Sequence, residues 1–176
     1  MLLAQSCIVA DPPEYKTPGQ SRPVLNAFKA VPETTKVLVV YTGKVATSFS
    51  VPVRSEDAGE DLRALFYLDY QVQPGDMNRG ESALNSQKIP ASTYANTSRE
   101  ATYPWLPTKQ TVSAGCHFVT LIVAHRSSFQ SSDENHLDAS KAVEDAALLT
   151  WTVNVDPPSD GVNTLLNCPS STSPVQ

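Results

Sequence analysis

The sequence predicts an all-β fold, two antiparallel sheets stacked as a sandwich, and three observations carry that expectation. Residues 116–125, Cys-His-Phe-Val-Thr-Leu-Ile-Val-Ala-His, form the most strand-like run in the chain. Val119, Leu121 and Val123 alternate onto one face while Phe118 and Ile122 take the other, so both faces need cover, as in a central strand. Further β-branched or alternating runs at 36–41, 48–54, 62–70 and 148–155 read as its partners. The composition agrees: 14 Pro against 7 Gly, with 40% hydrophobic and 18% charged residues, suits strands and irregular loops better than a helical bundle. At 176 residues and 19.0 kDa the chain is one domain with decorations, long enough to bury a core.

Taken in order, residues 1–7 read Met-Leu-Leu-Ala-Gln-Ser-Cys. This resembles the end of a bacterial lipoprotein signal peptide, in which a short apolar-to-small motif precedes a lipid-modified cysteine. Ser6 and Ala4 fit that pattern and Gln5 fits less well, while the charged start and most of the apolar run of a signal are missing. The expectation is a residual signal ending at a lipidated Cys7, with the genomic start lying upstream. The other reading is a frayed end with a free or buried Cys7. Residues 8–33 hold Pro12, Pro13, Pro18, Pro23 and Pro32 among Ser, Gln and Thr, a composition that builds no core of its own and suits a tether. Phe28 and Val31 within it are candidates to dock on the domain.

The sandwich is expected over 34–156. Its first strand, 36–41, is Lys-Val-Leu-Val-Val-Tyr. In 48–54 Phe49, Val51 and Val53 alternate with Ser48, Ser50, Pro52 and Arg54, and Pro52, which has no N–H, suggests an edge or bulge. Residues 55–61 are a turn by composition. In 62–70 Leu62, Ala64, Phe66, Leu68 and Tyr70 oppose Arg63, Leu65, Tyr67 and Asp69. Residues 71–110 form a long insertion rich in Ser, Asn, Pro and Gly, too long to be featureless, so short edge strands are expected near 101–103 and 110–112. Residues 139–149 contain enough helix formers for two turns. Leu149, Trp151, Val153 and Val155 then mark the last strand, and 157–176 is a tail that packs back on the domain. Phe49, Val51, Phe66, Leu68, Val119, Leu121, Trp151 and Val153 are expected in the core.

A net charge of -5 with a pI near 5.1 argues against binding nucleic acid, which needs clustered Lys and Arg. No run reaches the roughly 18 apolar residues of a membrane span, so membrane attachment would have to come from a lipid or a partner. His117 and His125 share a face of one strand but stand roughly 26 Å apart, too far for one metal. There is no Gly-x-Ser-x-Gly elbow and no Gly-rich phosphate loop. A paired-carboxylate hydrolase stays open, because such pairs meet only in three dimensions.

The order of a strand, an acidic turn containing Gly, an aromatic strand ending in Leu-Asp, a long loop, a Gly-x-His-x-Val-Thr-Leu-x-Val strand and a closing Trp strand resembles immunoglobulin-like domains of the PKD kind. The matching stretches are Glu-Asp-Ala-Gly-Glu-Asp-Leu at 56–62, Tyr67-Leu68-Asp69, and Gly-Cys-His-Phe-Val-Thr-Leu-Ile-Val at 115–123. The resemblance as a whole covers about two thirds of the chain. Where the family places a Trp in its third strand this chain has Phe66 or Tyr67, and the 71–110 insertion exceeds the family's loops. The resemblance implies an Ig-like sandwich with an adhesive, spacing or scaffolding role and no enzymatic activity.

Three cysteines are an odd number. If Cys7 carries lipid, Cys116 and Cys168 remain as a pair. Cys116 falls on the outer face of its strand, where a tail carrying Leu165, Leu166 and Cys168 could fold back onto it. The alternative is a pair of buried thiols in a reducing compartment. Glu56, Asp57, Glu60 and Asp61 place four carboxylates in six residues, a candidate calcium site whose spacing does not match an EF-hand and which reads equally as solvated turn. Tyr103, Trp105 and Leu106 are residue types that anchor interfaces and are candidates for partner binding, or else a lid on the core. The functional expectation is a non-enzymatic, exported cell-envelope lipoprotein that presents an Ig-like module to a protein or glycan partner. The alternative is a calcium-dependent sugar binder or hydrolase built on the 56–61 turn and the 71–110 loop.

Overall fold

The computed structural model describes residues 21–57, 59–70, 84–93, 98–129, 145–157 and 168. Among the described residues there are eight strands: β1 (Val24–Leu25), β2 (Leu38–Val40), β3 (Thr47–Arg54), β4 (Leu62–Leu68), β5 (Asn85–Ile89), β6 (Arg99–Trp105), β7 (Gly115–His125) and β8 (Ala147–Val155). They form a three-stranded sheet in the order β1-β3-β6 and a five-stranded sheet in the order β2-β8-β7-β4-β5. Every pairing is antiparallel except β2 with β8. β1 is an edge of the smaller sheet and β2 an edge of the larger. The fold is an all-β sandwich, as the alternation predicts.

β7 is central to the larger sheet, flanked by β4 and β8. Its two faces are used as the sequence demands. Val119, Leu121 and Val123 join Phe49, Val51, Phe66, Trp151 and Val153 in the core between the sheets, with Leu68 partly buried against it. Phe49 sits 5.1 Å from Trp151 and 6.1 Å from Trp105, ring centre to ring centre. The Trp151 indole N–H, which cannot be buried unpaired, donates to the Pro32 carbonyl at 2.7 Å. On the outer face Ile122 and Ala124 meet Leu65, Tyr67, Phe129 and Ala146 in a second apolar cluster.

Among the described residues of 71–110 two strands are present, at 85–89 and 99–105; the second contains the strand expected near 101–103, and none forms at 110–112. Residues 110–112 turn instead, with Thr111 N–H donating to the Thr108 carbonyl at 3.0 Å and Thr108 N–H to Thr111 Oγ1 at 3.1 Å. β5, Asn-Ser-Gln-Lys-Ile, buries only Ile89 and so carries no alternation to read. The helix expected over 139–149 falls partly outside the described residues, and Ala147, Leu148 and Leu149 within it are strand. In the segment read as a tether, residues from Ser21 onward are built onto the sandwich: β1 pairs with β3, and Val31 and Ser50 exchange both backbone hydrogen bonds. Residues 1–20, with Cys7, lie outside the described residues.

Candidate functional site

The chemistry-bearing side chains gather at the two ends of the sandwich. The inward face of β7 begins and ends with histidine, so His117 and His125 close the core at opposite ends, a consequence of their even spacing on one strand.

At one end the register sets His125 opposite Leu62, beside the acidic turn that precedes β4. The imidazole is fully buried, at 0% exposure. Its Nε2 lies 3.1 Å from the Ser21 carbonyl, 3.3 Å from Asp57 Oδ2 and 3.4 Å from Ser55 Oγ. Because a carbonyl only accepts, Nε2 carries a proton. Nδ1 is 3.3 Å from Glu60 Oε2 without the alignment of a hydrogen bond. Asp57 Oδ2 also accepts from the Ser21 N–H at 2.7 Å and the Ser21 hydroxyl at 2.9 Å. The Ser21 N–H, more than any other group, holds the Asp57 carboxyl below its usual range.

The rest of the turn fastens other strands. Asp61 pairs with Lys88 of β5 and accepts from the Ala91 N–H at 2.8 Å, and the Lys88 hydrogen bond leads in lowering its pKa. The Glu60 and Pro90 carbonyls accept from Arg99 Nη1 at 2.9 and 3.1 Å, and burial pushes the Arg99 guanidinium pKa down. Glu56 is exposed. Asp57 and Asp61 are therefore committed to different donors. Among the described residues no three His, Cys, Asp or Glu side chains are grouped to hold a metal ion.

A serine, a histidine and a carboxylate meet here, but the meeting does not make a nucleophile. Ser55 is itself buried, and Nε2 is shared with a backbone carbonyl, so both groups are engaged within the fold. The arrangement works as a clasp that locks Ser21 to the end of the sandwich.

At the other end Asp69, with φ of 53°, turns the chain out of β4. Its Oδ1 accepts from the Phe118 N–H at 2.9 Å, and its Oδ2 faces His117 Nδ1 at 2.7 Å. His117 Nε2 meets the Ser113 carbonyl at 2.9 Å. Nearby Asp156, with φ of 45°, receives the Thr42 N–H at 3.0 Å and the Thr42 hydroxyl at 2.7 Å. These bonds, that from the hydroxyl first, hold its carboxyl below the usual range. Tyr41, Thr42, Lys44, Lys109, Val112, Ser113 and Asp156 line a shallow groove of about 690 Å³ beside it.

The apolar island divides. Trp105 is 3% exposed and belongs to the core, and Tyr103 is half-buried with its ring 5.1 Å from Phe66. Leu106 alone stands out, at 50% exposure. Gly43 N–H donates to the Pro107 carbonyl at 2.9 Å, which sets Leu106 beside the turn that leads from Tyr41 to Val45. The β6 alternation of Ala101, Tyr103 and Trp105 was the available signal, partly hidden by Pro104.

Cys116 and Cys168 form a disulfide, with Cα atoms 5.2 Å apart and a sequence separation of 52. Cys168 is buried. The bond ties Cys168 to the outer face of β7, the face on which the alternation of that strand puts Cys116.

No protein-family model matches the sequence, and no curated protein matches it. Among solved structures, the chain is similar to the CARDB domain of a Pyrococcus furiosus protein in complex with di-metal ions. The TM-score is 0.40 at 14% identity, over 68% of this chain and 84% of that one. It is also similar to a chitin binding domain from Burkholderia pseudomallei, with a TM-score of 0.36 at 13% identity, over 68% of this chain and 57% of that one. Likenesses of this depth carry no argument about ligand or activity.

Proposed function

We propose that the protein is a non-enzymatic, exported module of the cell envelope, held to the membrane by lipid on Cys7 and presenting a disulfide-bonded sandwich to a protein or glycan partner. The observation that carries this reading is the Cys116–Cys168 disulfide. Structural disulfides persist in oxidising compartments, so the bond favours an extracytoplasmic domain. It also accounts for two of the three cysteines, leaving Cys7 as the odd one behind a lipoprotein-like motif. Both core-facing histidines of β7 are occupied as fasteners, which favours a binding role over catalysis. For the partner, the Tyr41 groove with Lys44, Lys109 and the neighbouring Leu106 offers an aromatic face, two cations and an apolar rim.

The test is metabolic labelling of the expressing cells with a clickable fatty acid, using a gene that includes any upstream in-frame leader. The expected outcome is label on the wild-type chain and none on Cys7→Ser. An unlabelled wild-type chain that stays in the cytosolic fraction overturns the reading.

A further inference from the structure

Phe28 is fully exposed, at 103%, yet it is not on a loose segment. It is the middle residue of a 3-10 turn, Ala27–Lys29. Asn26 N–H donates to the Pro52 carbonyl at 2.9 Å before the turn, and Val31 N–H to the Ser50 carbonyl at 2.8 Å after it. Within the turn Lys29 N–H and Ala30 N–H donate to the Asn26 and Ala27 carbonyls, and Ala30 is buried beneath. The backbone is thus tied to β3 on both sides while the ring points at solvent. Val24, on the adjoining edge strand, is 64% exposed, and Val31 is 59% exposed. A protruding apolar tip on a fixed backbone marks a contact surface.

The charges say what kind. A groove of about 380 Å³ runs beside Phe28, and its charged lining residues are Lys29 and Arg54, both cations in a chain of net charge -5. Neither makes an ion pair among the described residues. Glu100, opposite the groove-lining Pro52 in the register, sets an exposed carboxylate beside the groove. An apolar tip flanked by basic side chains is the pattern that enters a headgroup layer, with the ring in the acyl boundary and the cations on anionic lipid.

Position adds a second argument, which rests on the lipid-anchor reading. Ser21, clasped by Asp57, lies three residues before Val24 of the edge strand that carries this face. Fourteen chain steps separate Ser21 from Cys7, a reach of at most about 45–50 Å. At that distance from the bilayer even a weak contact is favoured by effective concentration.

We propose that Phe28 and Val24, flanked by Lys29 and Arg54, form a membrane-docking face that lays the sandwich on anionic lipid. The test uses the full chain carrying Cys7→Ser, so that no acyl group contributes, with vesicles of equal parts phosphatidylglycerol and phosphatidylcholine, and with phosphatidylcholine alone as the control. Co-sedimentation is expected with the first and not the second. Phe28→Ser should weaken it by about tenfold, the order expected for losing one inserted aromatic side chain. Lys29→Gln and Arg54→Gln should each weaken it by about fivefold and flatten its salt dependence, and Glu100→Gln should strengthen it. A Phe28→Trp reporter should shift its emission to the blue on the anionic vesicles only. Because Phe28 touches no core residue, these variants should keep the parent unfolding midpoint. No sedimentation with phosphatidylglycerol, or an unshifted reporter, overturns the proposal. So does concentration-dependent dimerisation lost in Phe28→Ser, which would make the face a contact between copies. Failure of the fatty-acid label at Cys7 with vesicle binding intact would overturn the anchor alone.

Discussion

His117 has both ring nitrogens against oxygen: the Asp69 carboxylate at Nδ1 and the Ser113 carbonyl at Nε2. A neutral imidazole donates once, so only the imidazolium satisfies both acceptors. The Asp69 hydrogen bond leads in raising the His117 pKa above 6.5, against the opposing effect of burial. A raised folded pKa means that this contribution to stability is complete below the unfolded value and is lost as pH rises through the folded one. The thermal unfolding midpoint should therefore fall as pH is raised above about 6.5, and His117→Gln should remove that slope. A wild-type midpoint flat through the neutral range would contradict the assignment. Asp57 acts in the opposite sense. Its depressed pKa makes the Ser21 clasp an acid-labile contact, present above the ordinary carboxyl range and lost as pH falls through the lowered value. These pairings join residues 48 and 36 positions apart, and no local pattern in the sequence announces them.

β6 shows how a single strand assigns different duties to neighbouring apolar residues. Its register with β3 sets Tyr103 opposite Phe49 and Trp105 opposite Thr47, which turns both aromatics inward and ends the strand just before Leu106. Truncating a buried aromatic side chain loses its transfer energy and leaves a cavity. Trp105→Ala should thus cost about 3–5 kcal/mol in urea unfolding. Leu106→Ser, at an exposed position, should change stability by no more than about 0.5 kcal/mol. Equal effects of the two would mean that the strand ends elsewhere. Only the second variant is informative about partner binding, since the first changes the fold that any partner would meet.

At the scale of the molecule, the Cys116–Cys168 bond joins Cys168 to the central strand of the larger sheet. Constraining a loop of 52 residues in the unfolded chain stabilises the native state by about 4 kcal/mol on the chain-entropy account. Reduction should lower the unfolding midpoint accordingly, and non-reducing peptide mass analysis should show the two cysteines linked. Two alkylatable thiols at Cys116 and Cys168 in the exported protein would exclude the bond. Its pairing was legible before the structure, because the alternation of β7 puts Cys116 on the outer face and leaves Cys168 as the partner once Cys7 is set aside. The sandwich was legible for the same reason. Alternation with a period of two is local, so the strands around Phe49, Phe66, Leu121 and Trp151 could be placed, and their buried faces named, from the residues alone. β5 could not, since an edge strand with one buried residue leaves no such pattern. What only the tertiary structure decided is which polar groups meet and which apolar ones are left out. The register of β4 with β7 brings His125 to the acidic turn and His117 to Asp69. The pairing of residues 24–31 with β3 takes part of an apparent tether into the sheet and leaves Phe28 facing solvent. Both outcomes depend on contacts between distant segments, which neither composition nor alternation encodes.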